Sequence, residues 1–229
     1  MKAPIALALD VSSIDLAVKF TNLLASEVEM FKIGLQTYLR DGNDGFKRIK
    51  EAAKESKIFL DLKLHDIPQT VSNAISSLKL LQPDIITVHA LGGSEMLRSA
   101  VAAAGDIEVA AVTVLTSLRI DDVKTFSHMQ IEDLVLNLSE QAISAGCSTI
   151  VCSPLEVVSI RKAFGNKVKL IVPGVRIPSD LINDQARVAT PAQTISDGAD
   201  VLVIGRPILQ AIDPVTQVHS IKKSLSVGI

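Results

Sequence analysis

The chain has 229 residues, 48% of them hydrophobic and 21% charged, which suffices for one sizeable core. A net charge of −2 and a pI of about 6.1 exclude a general binder of nucleic acid or of membrane surfaces. Aromatics are only 3%, with no Trp and one Tyr, so a base-stacking platform for single-stranded nucleic acid is excluded too.

The first ten residues, Met1 to Asp10, loosely imitate a signal peptide, with one Lys and a short apolar run. Asp10 cuts that run early and no small-residue cleavage site follows. No stretch approaches the roughly 18 apolar residues of a membrane helix, so a cytoplasmic protein is expected. A strand is expected over Ile5–Asp10, then a helix over Ile14–Ala25 capped by Ser13. Further strands are expected at Met30–Leu35, Ile58–Leu64, Ile85–Ala90, Glu108–Thr116, Ser148–Ser153, Lys169–Val175 and Val201–Ile204. These runs are rich in Val, Ile and Leu without alternation, as in strands covered on both faces. Helical spacing appears over Ile67–Leu81, through Val71, Ile75, Leu78 and Leu81, and over Ile131–Ala145, through Leu134, Leu138 and Ala142. Pro154, Pro191 and Pro214 mark helix starts, and Gly105, Gly146 and Gly198 mark helix ends.

Eight strand runs alternating with helices or loops predict an α/β fold, a single-domain (β/α)₈ TIM barrel over residues 1–229. An open doubly wound sheet is the alternative. That fold carries its phosphate-binding glycines in the first strand–helix turn, which here is Asp10-Val11-Ser12-Ser13. Glycines and arginines sit instead near strands seven and eight, where barrels bind phosphate. No linker, low-complexity tract or short repeat is visible.

The chemistry-bearing segment is the third strand, Ile58-Phe59-Leu60-Asp61-Leu62-Lys63-Leu64-His65-Asp66. Alternation aims Asp61 and Lys63 at one face and Leu60, Leu62 and Leu64 at the other. Two charges are thereby directed into the barrel mouth, where they must pair or bind something. Lys32 interrupts the second strand and is expected to join them. Opposite charges about 4 Å apart interact at roughly 4 kcal/mol at an effective dielectric of 20, enough to keep a lysine protonated and rigid. Such an ammonium can stabilise and then protonate a carbanion. An internal salt-bridge network without function remains the bland reading. Asp10 fits either a substrate hydroxyl or a helix cap.

Toward the chain end, Gly205-Arg206-Pro207 and Pro173-Gly174-Val175-Arg176 offer close backbone approach and guanidinium groups for a phosphate. The segment through Asp184-Gln185-Ala186-Arg187 is long enough for a lid. Solvated loop charge is the alternative for Arg176, Arg187 and Arg206. His89 either lines the mouth or hydrogen-bonds locally, while His128 and His219 read as surface residues. His65 beside Asp66 lacks the further ligands of a metal set. Cys147 and Cys152 have neither zinc nor redox spacing and read as buried small hydrophobes. Ser94, Ser117 and Ser153 lack the setting of an activated nucleophile.

With these residues in hand, the chain resembles the orotidine 5′-phosphate decarboxylases over almost its whole length. The most specific segment is Asp61-Leu62-Lys63-Leu64-His65-Asp66-Ile67-Pro68-Gln69-Thr70. Val88-His89-Ala90 with Gly92-Gly93, Leu115-Thr116-Ser117, Pro173-Gly174-Val175-Arg176, Asp184-Gln185 and Gly205-Arg206-Pro207-Ile208 follow in order. The family's usual residue between Pro68 and Thr70 is Asn, where this chain has Gln69. The resemblance implies loss of CO₂ from orotidine 5′-monophosphate to give UMP, without cofactor or metal. It implies that Lys63 donates the proton to C6, within an alternating charged set of Lys32, Asp61, Lys63 and Asp66. It implies ribose contacts from Asp10 and Lys32 and a pyrimidine-facing segment at Thr116 and Ser117. Gln185, Gly205 and Arg206 are implied to grip the phosphate, with Arg176 in the same shell. Asp66 and Thr70 are implied to reach the neighbouring subunit's site, hence a homodimer. Competing expectations are a magnesium-dependent sugar-phosphate decarboxylase or hexulose-phosphate synthase sharing the Asp-x-Lys-x-x-Asp strand, a phosphate-binding barrel isomerase, and a barrel that only binds nucleotides.

Overall fold

The computed structural model describes residues 2–177 and 189–226. Parallel strands pair in chain order, and the last returns to pair with the first, so the sheet closes into a barrel. Its elements run β1 (Ala3–Ala8), α1 (Ile14–Leu24), β2 (Val28–Gly34), α2 (Leu35–Ala53), β3 (Lys57–Leu64), α3 (Pro68–Lys79), β4 (Ile85–His89), α4 (Gly93–Ala104) and β5 (Glu108–Val112). They continue α5 (Ile120–Lys124), α6 (Ile131–Ser144), β6 (Thr149–Val151), α7 (Val157–Phe164), β7 (Lys169–Val172), α8 (Pro191–Ser196), β8 (Val201–Ile204), α9 (Arg206–Leu209) and α10 (Pro214–Ser226). The expected TIM barrel is therefore the observed fold, and the doubly wound sheet is not.

Local signals act where they were read. The Ser13 hydroxyl accepts from the Leu16 amide at 3.2 Å and opens α1. Pro191 begins α8, Pro214 begins α10, and Pro154 begins a single 3₁₀ turn before α7. Gly105, Gly146 and Gly198 take positive φ after α4, α6 and α8, conformations that carry no penalty without a Cβ.

Several strands are shorter than their apolar runs. β7 stops at Val172 because Pro173 has no amide to donate and Gly174 turns the chain at φ 86°. β5 stops at Val112, although Val114 remains buried, because the ladder with β6 ends at Val112–Val151. Apolar burial continued past the last ladder pair, and hydrophobicity alone does not distinguish the two.

Two cores result. The larger lies between strands and helices and includes Ile5, Leu7, Phe31, Ile33, Leu60 and Val88 with Val71, Ile75 and Leu134 of the helices. The smaller is drawn from strands alone: Ala6, Met30, Phe59, Ile85, Ala110, Val112, Val151, Ile171 and Val201. These nine residues plug the barrel interior. Two residues further along the same inward series come Lys32, Asp61 and Thr87, so a polar tier rests directly on an apolar floor.

Candidate active site

Lys32 is the hub of that tier and is buried. Its Nζ lies 3.4 Å from Asp61 Oδ2 and 3.6 Å from Asp10 Oδ2. Lys63 Nζ lies 2.8 Å from each carboxylate oxygen of Asp61. Charges therefore alternate Asp10–Lys32–Asp61–Lys63 within one chain. Burial pushes the Asp61 carboxyl up, but the Lys32 and Lys63 ammoniums and hydrogen bonds from Lys63 and Thr87 outweigh it. Its pKa falls below the ordinary carboxylate value, and the group is held ionised.

Lys63 reaches this position from irregular backbone. Leu60 pairs with Ile86, but Leu64 pairs with Val88, so four steps along β3 oppose two along β4. Lys63 itself has φ 50°. A non-glycine residue in that region is strained, and a bulge of this kind re-aims a side chain. Lys63 thus meets Asp61 through a bulge rather than through the regular alternation expected, while Leu62 and Leu64 pack on the outer core as expected.

Gly34, at the end of β2, makes the Asp10–Lys32 contact possible. A Cβ there would lie 2.8 Å from Asp10 Oδ1 and 2.9 Å from Lys32 Nζ. Beside the tier, His89 stacks on His65 with ring centroids 5.2 Å apart and planes at 23°. Burial, then the neighbouring His65 and Lys63 charges, lower the His89 pKa to about 4, so its imidazole is neutral at physiological pH. Its Nδ1 accepts a long hydrogen bond, 3.4 Å, from the Leu91 amide.

The charged tier opens into two lobes. One, of about 230 Å³, is lined by Lys32, Asp61, Lys63, Leu115, Thr116 and Pro173 among others. The other, of about 850 Å³, is lined by Asp10, Lys32, Gln36, Arg176, Gly205 and Arg206 among others. Lys32 and Val203 border both. Neither Arg176 nor Arg206 forms an ion pair among the described residues, so both guanidiniums are available to an anion. Gly205 packs close to Ala8, where an added Cβ would lie 3.3 Å from the Ala8 Cβ. The geometry describes a narrow chamber holding a lysine–carboxylate pair, joined to a wider cationic one. Among the described residues no three His, Cys, Asp or Glu side chains are grouped to hold a metal ion. No described helix is long and apolar enough to cross a membrane.

Comparison with known proteins decides the family. The profile described as "Orotidine 5'-phosphate decarboxylase / HUMPS family" matches residues 3–221. The chain belongs to this family. Among similar proteins, an orotidine 5′-phosphate decarboxylase of Thermobifida fusca is 45% identical over 218 residues, covering 93% of this chain and 92% of that protein. One of Sphingopyxis alaskensis is 45% identical over 228 residues, covering 98% and 100%. The crystal structure of orotidine 5′-phosphate decarboxylase from Lactobacillus acidophilus superposes with a TM-score of 0.84 at 32% identity, covering 98% of this chain and 99% of that one.

Of the residues to which resemblance to the orotidine 5′-phosphate decarboxylase family points, the structure brings Asp10, Lys32, Asp61 and Lys63 together. Thr116 lines the narrow lobe, and Arg176, Gly205 and Arg206 line the wide one. Ser117 is exposed beside Thr116 and is not among the lining residues. Asp66 and Thr70 line neither lobe. The Asp66 carboxylate instead accepts from the Ile67 amide at 2.7 Å, and Thr70 is exposed on the first turn of α3. Gln69 donates to Asn73 one turn along α3 at 2.9 Å, so the departure from Asn is absorbed on the helix surface. Asp184, Gln185 and Arg187 lie outside the described residues. Cys147 and Cys152 are buried free thiols; burial pushes Cys147 up to about 12 and Cys152 higher still. Sequence reasoning missed Thr87, Gly34 and Gln36. The first is read only as a strand former, and the other two carry no charge to flag them.

Proposed function

We infer that this chain is a carboxy-lyase that converts orotidine 5′-monophosphate to UMP and CO₂, the last step of de novo UMP biosynthesis. The observation that carries the reading is the Lys63–Asp61 pair at 2.8 Å inside a chamber that Lys32 connects to a cationic lobe. A pyrimidine carrying a carboxylate fits the narrow lobe, the ribose fits beside Asp10 and Lys32, and the phosphate fits Arg206, Gly205 and Arg176, the group to which the family resemblance also assigns Gln185.

Loss of CO₂ leaves an electron pair on C6 with no conventional electron sink. The Lys63 ammonium, fixed by Asp61, stabilises that charge and then delivers a proton to C6. Asp61, held ionised, stands near the departing carboxylate and orients Lys63. Lys32 couples Asp61 to Asp10 and so ties the chemistry to the ribose. Thr116 borders the base. Phosphate binding far from C6 contributes to assembling the charged tier, the role that binding energy on remote substrate groups can take.

The enzyme works without a metal or organic cofactor, because both Asp10 and Asp61 are already countered by lysines. It acts as a cytoplasmic homodimer, in which Asp66 and Thr70 of one subunit enter the site of the other. Exposure of both residues beside the β3 exit, away from their own chain's chamber, supports that arrangement. The ultraviolet absorbance change on adding orotidine 5′-monophosphate, with and without EDTA, tests the reading. Turnover unaffected by EDTA is expected. No turnover, or turnover abolished by EDTA, overturns it in favour of a metal-dependent member of the family.

A further inference from the structure

Thr87 lies on β4, fully buried and facing the bulge in β3. Its hydroxyl makes two bonds. It accepts from the Lys63 amide at 2.8 Å and donates to Asp61 Oδ1 at 3.1 Å. One oxygen therefore joins the backbone of the proposed proton donor to the carboxylate that orients its ammonium. The bulge makes this necessary. Where β3 slips by two residues against β4, the Lys63 amide needs a partner outside the regular ladder, and an unsatisfied buried amide is costly. Thr87 is not among the residues lining either lobe.

We propose that Thr87 is a positioning residue that pins the strained Lys63 backbone and fixes the Asp61 carboxylate, setting where the Lys63 ammonium stands. The inference rests on the decarboxylase reading above. A hydroxyl in this place serves both ends at once, since it donates to the carboxylate and accepts from the amide. Valine fills the same space but does neither.

The test compares Thr87→Ser, Thr87→Ala and Thr87→Val with the unaltered enzyme on orotidine 5′-monophosphate. The Ser and Ala variants lose the same methyl group and differ only in the hydroxyl. Thr87→Ala and Thr87→Val are expected to lose kcat on the order of ten- to a hundredfold, the range for a hydrogen bond to a charged group. KM and affinity for UMP stay within about threefold, because the chamber lining is untouched. Thr87→Ser recovers most of the kcat. Concentrations are corrected for folded enzyme by UMP titration, so a merely structural hydroxyl lowers the thermal midpoint and leaves kcat per site unchanged. That result, or a Ser variant as slow as the Ala variant, overturns the proposal. Should Thr87→Val fail to fold, the Ser–Ala comparison decides alone. An unaltered enzyme that does not turn over orotidine 5′-monophosphate defeats the functional reading instead, which separates the two failures.

Discussion

The Lys63 ammonium stands 2.8 Å from both carboxylate oxygens of Asp61, although the two residues are joined by a bulged stretch with Lys63 at φ 50°. The strain is local, and the ion pair and the hydrogen bond from the Lys63 amide to the Thr87 hydroxyl both oppose its release. Backbone strain of this sort persists only when its surroundings over-determine it.

Replacement of Lys63 by alanine removes the only ammonium within hydrogen-bonding distance of both Asp61 oxygens among the described residues. Decarboxylation is expected to fall below detection by loss of orotidine absorbance, a drop of more than about a thousandfold. Affinity for UMP, measured calorimetrically, is expected to change far less, because Arg206 and Lys32 remain. Substantial residual turnover would remove Lys63 from the proton-donor role.

Asp61 gives a pH signature. Its folded pKa is depressed below the ordinary 3.8 by Lys32 and Lys63 despite burial. A depressed carboxyl pKa contributes stability that is fully present above the unfolded value and is lost as pH falls through the folded value. Asp61→Asn leaves two ammoniums facing each other, so at pH 7 it is expected to cost on the order of 3 kcal/mol in denaturant unfolding. The deficit relative to the unaltered enzyme shrinks as pH drops below 3.8. A deficit that is constant from neutral pH into that acid range contradicts the assignment.

Gly34 allows a clean separation of site from fold. An added Cβ would collide with the ends of two flexible side chains, Asp10 and Lys32, rather than with backbone. Gly34→Ala is therefore expected to keep its thermal stability within about 1 kcal/mol, since displaced side-chain ends cost little. Affinity for UMP should weaken by about tenfold, or 1.4 kcal/mol, as the Asp10–Lys32 contact opens. Unchanged affinity shows that this contact does not hold the ribose.

Arg206 lies in the wide lobe, across Lys32 from the reacting end. Binding energy from a remote phosphate appears in kcat/KM when it serves to assemble the charged site. Arg206→Ala is expected to lower kcat/KM on the order of a hundredfold, as for loss of a charge-assisted bidentate contact. Steady-state kinetics check this, and near-normal kcat/KM removes Arg206 from the phosphate grip.

Much of the fold was legible because buried parallel strands and amphipathic helices leave different periods in the chain. Ser13, Pro191 and Gly105 punctuate it as their backbone chemistry requires. Lys32, Asp61 and Lys63 were legible because a charge inside an apolar strand has no cheap explanation. What stayed hidden depends on pairing between strands. The two-residue slip of β3 against β4 has no mark in either strand's own residues. Thr87 is β-branched and suits any strand, and only the bulge turns it into a bond partner. Val114 and Pro173 belong to continuous apolar runs, yet lie beyond the ladders that end at Val112 and Val172.

Asp66 remains the residue whose place one chain does not explain. Its carboxylate turns to the Ile67 amide and lines neither lobe, while Ile67 is itself two-thirds exposed at 66%. A shared site accounts for both facts, because the partner subunit then covers Ile67 and receives Asp66. In such a dimer, a chain carrying Lys63→Ala and one carrying Asp66→Ala each fail alone. Together they form one intact site from the Lys63 of the second chain and the Asp66 of the first. Random exchange makes half of the dimers mixed, with one working site in two, so about a quarter of the unaltered activity is expected. Mixing the two inactive variants, with exchange verified by differently tagged chains, measures this directly. Full exchange without recovered activity rules out the shared site and leaves Asp66 a cap of the α3 turn.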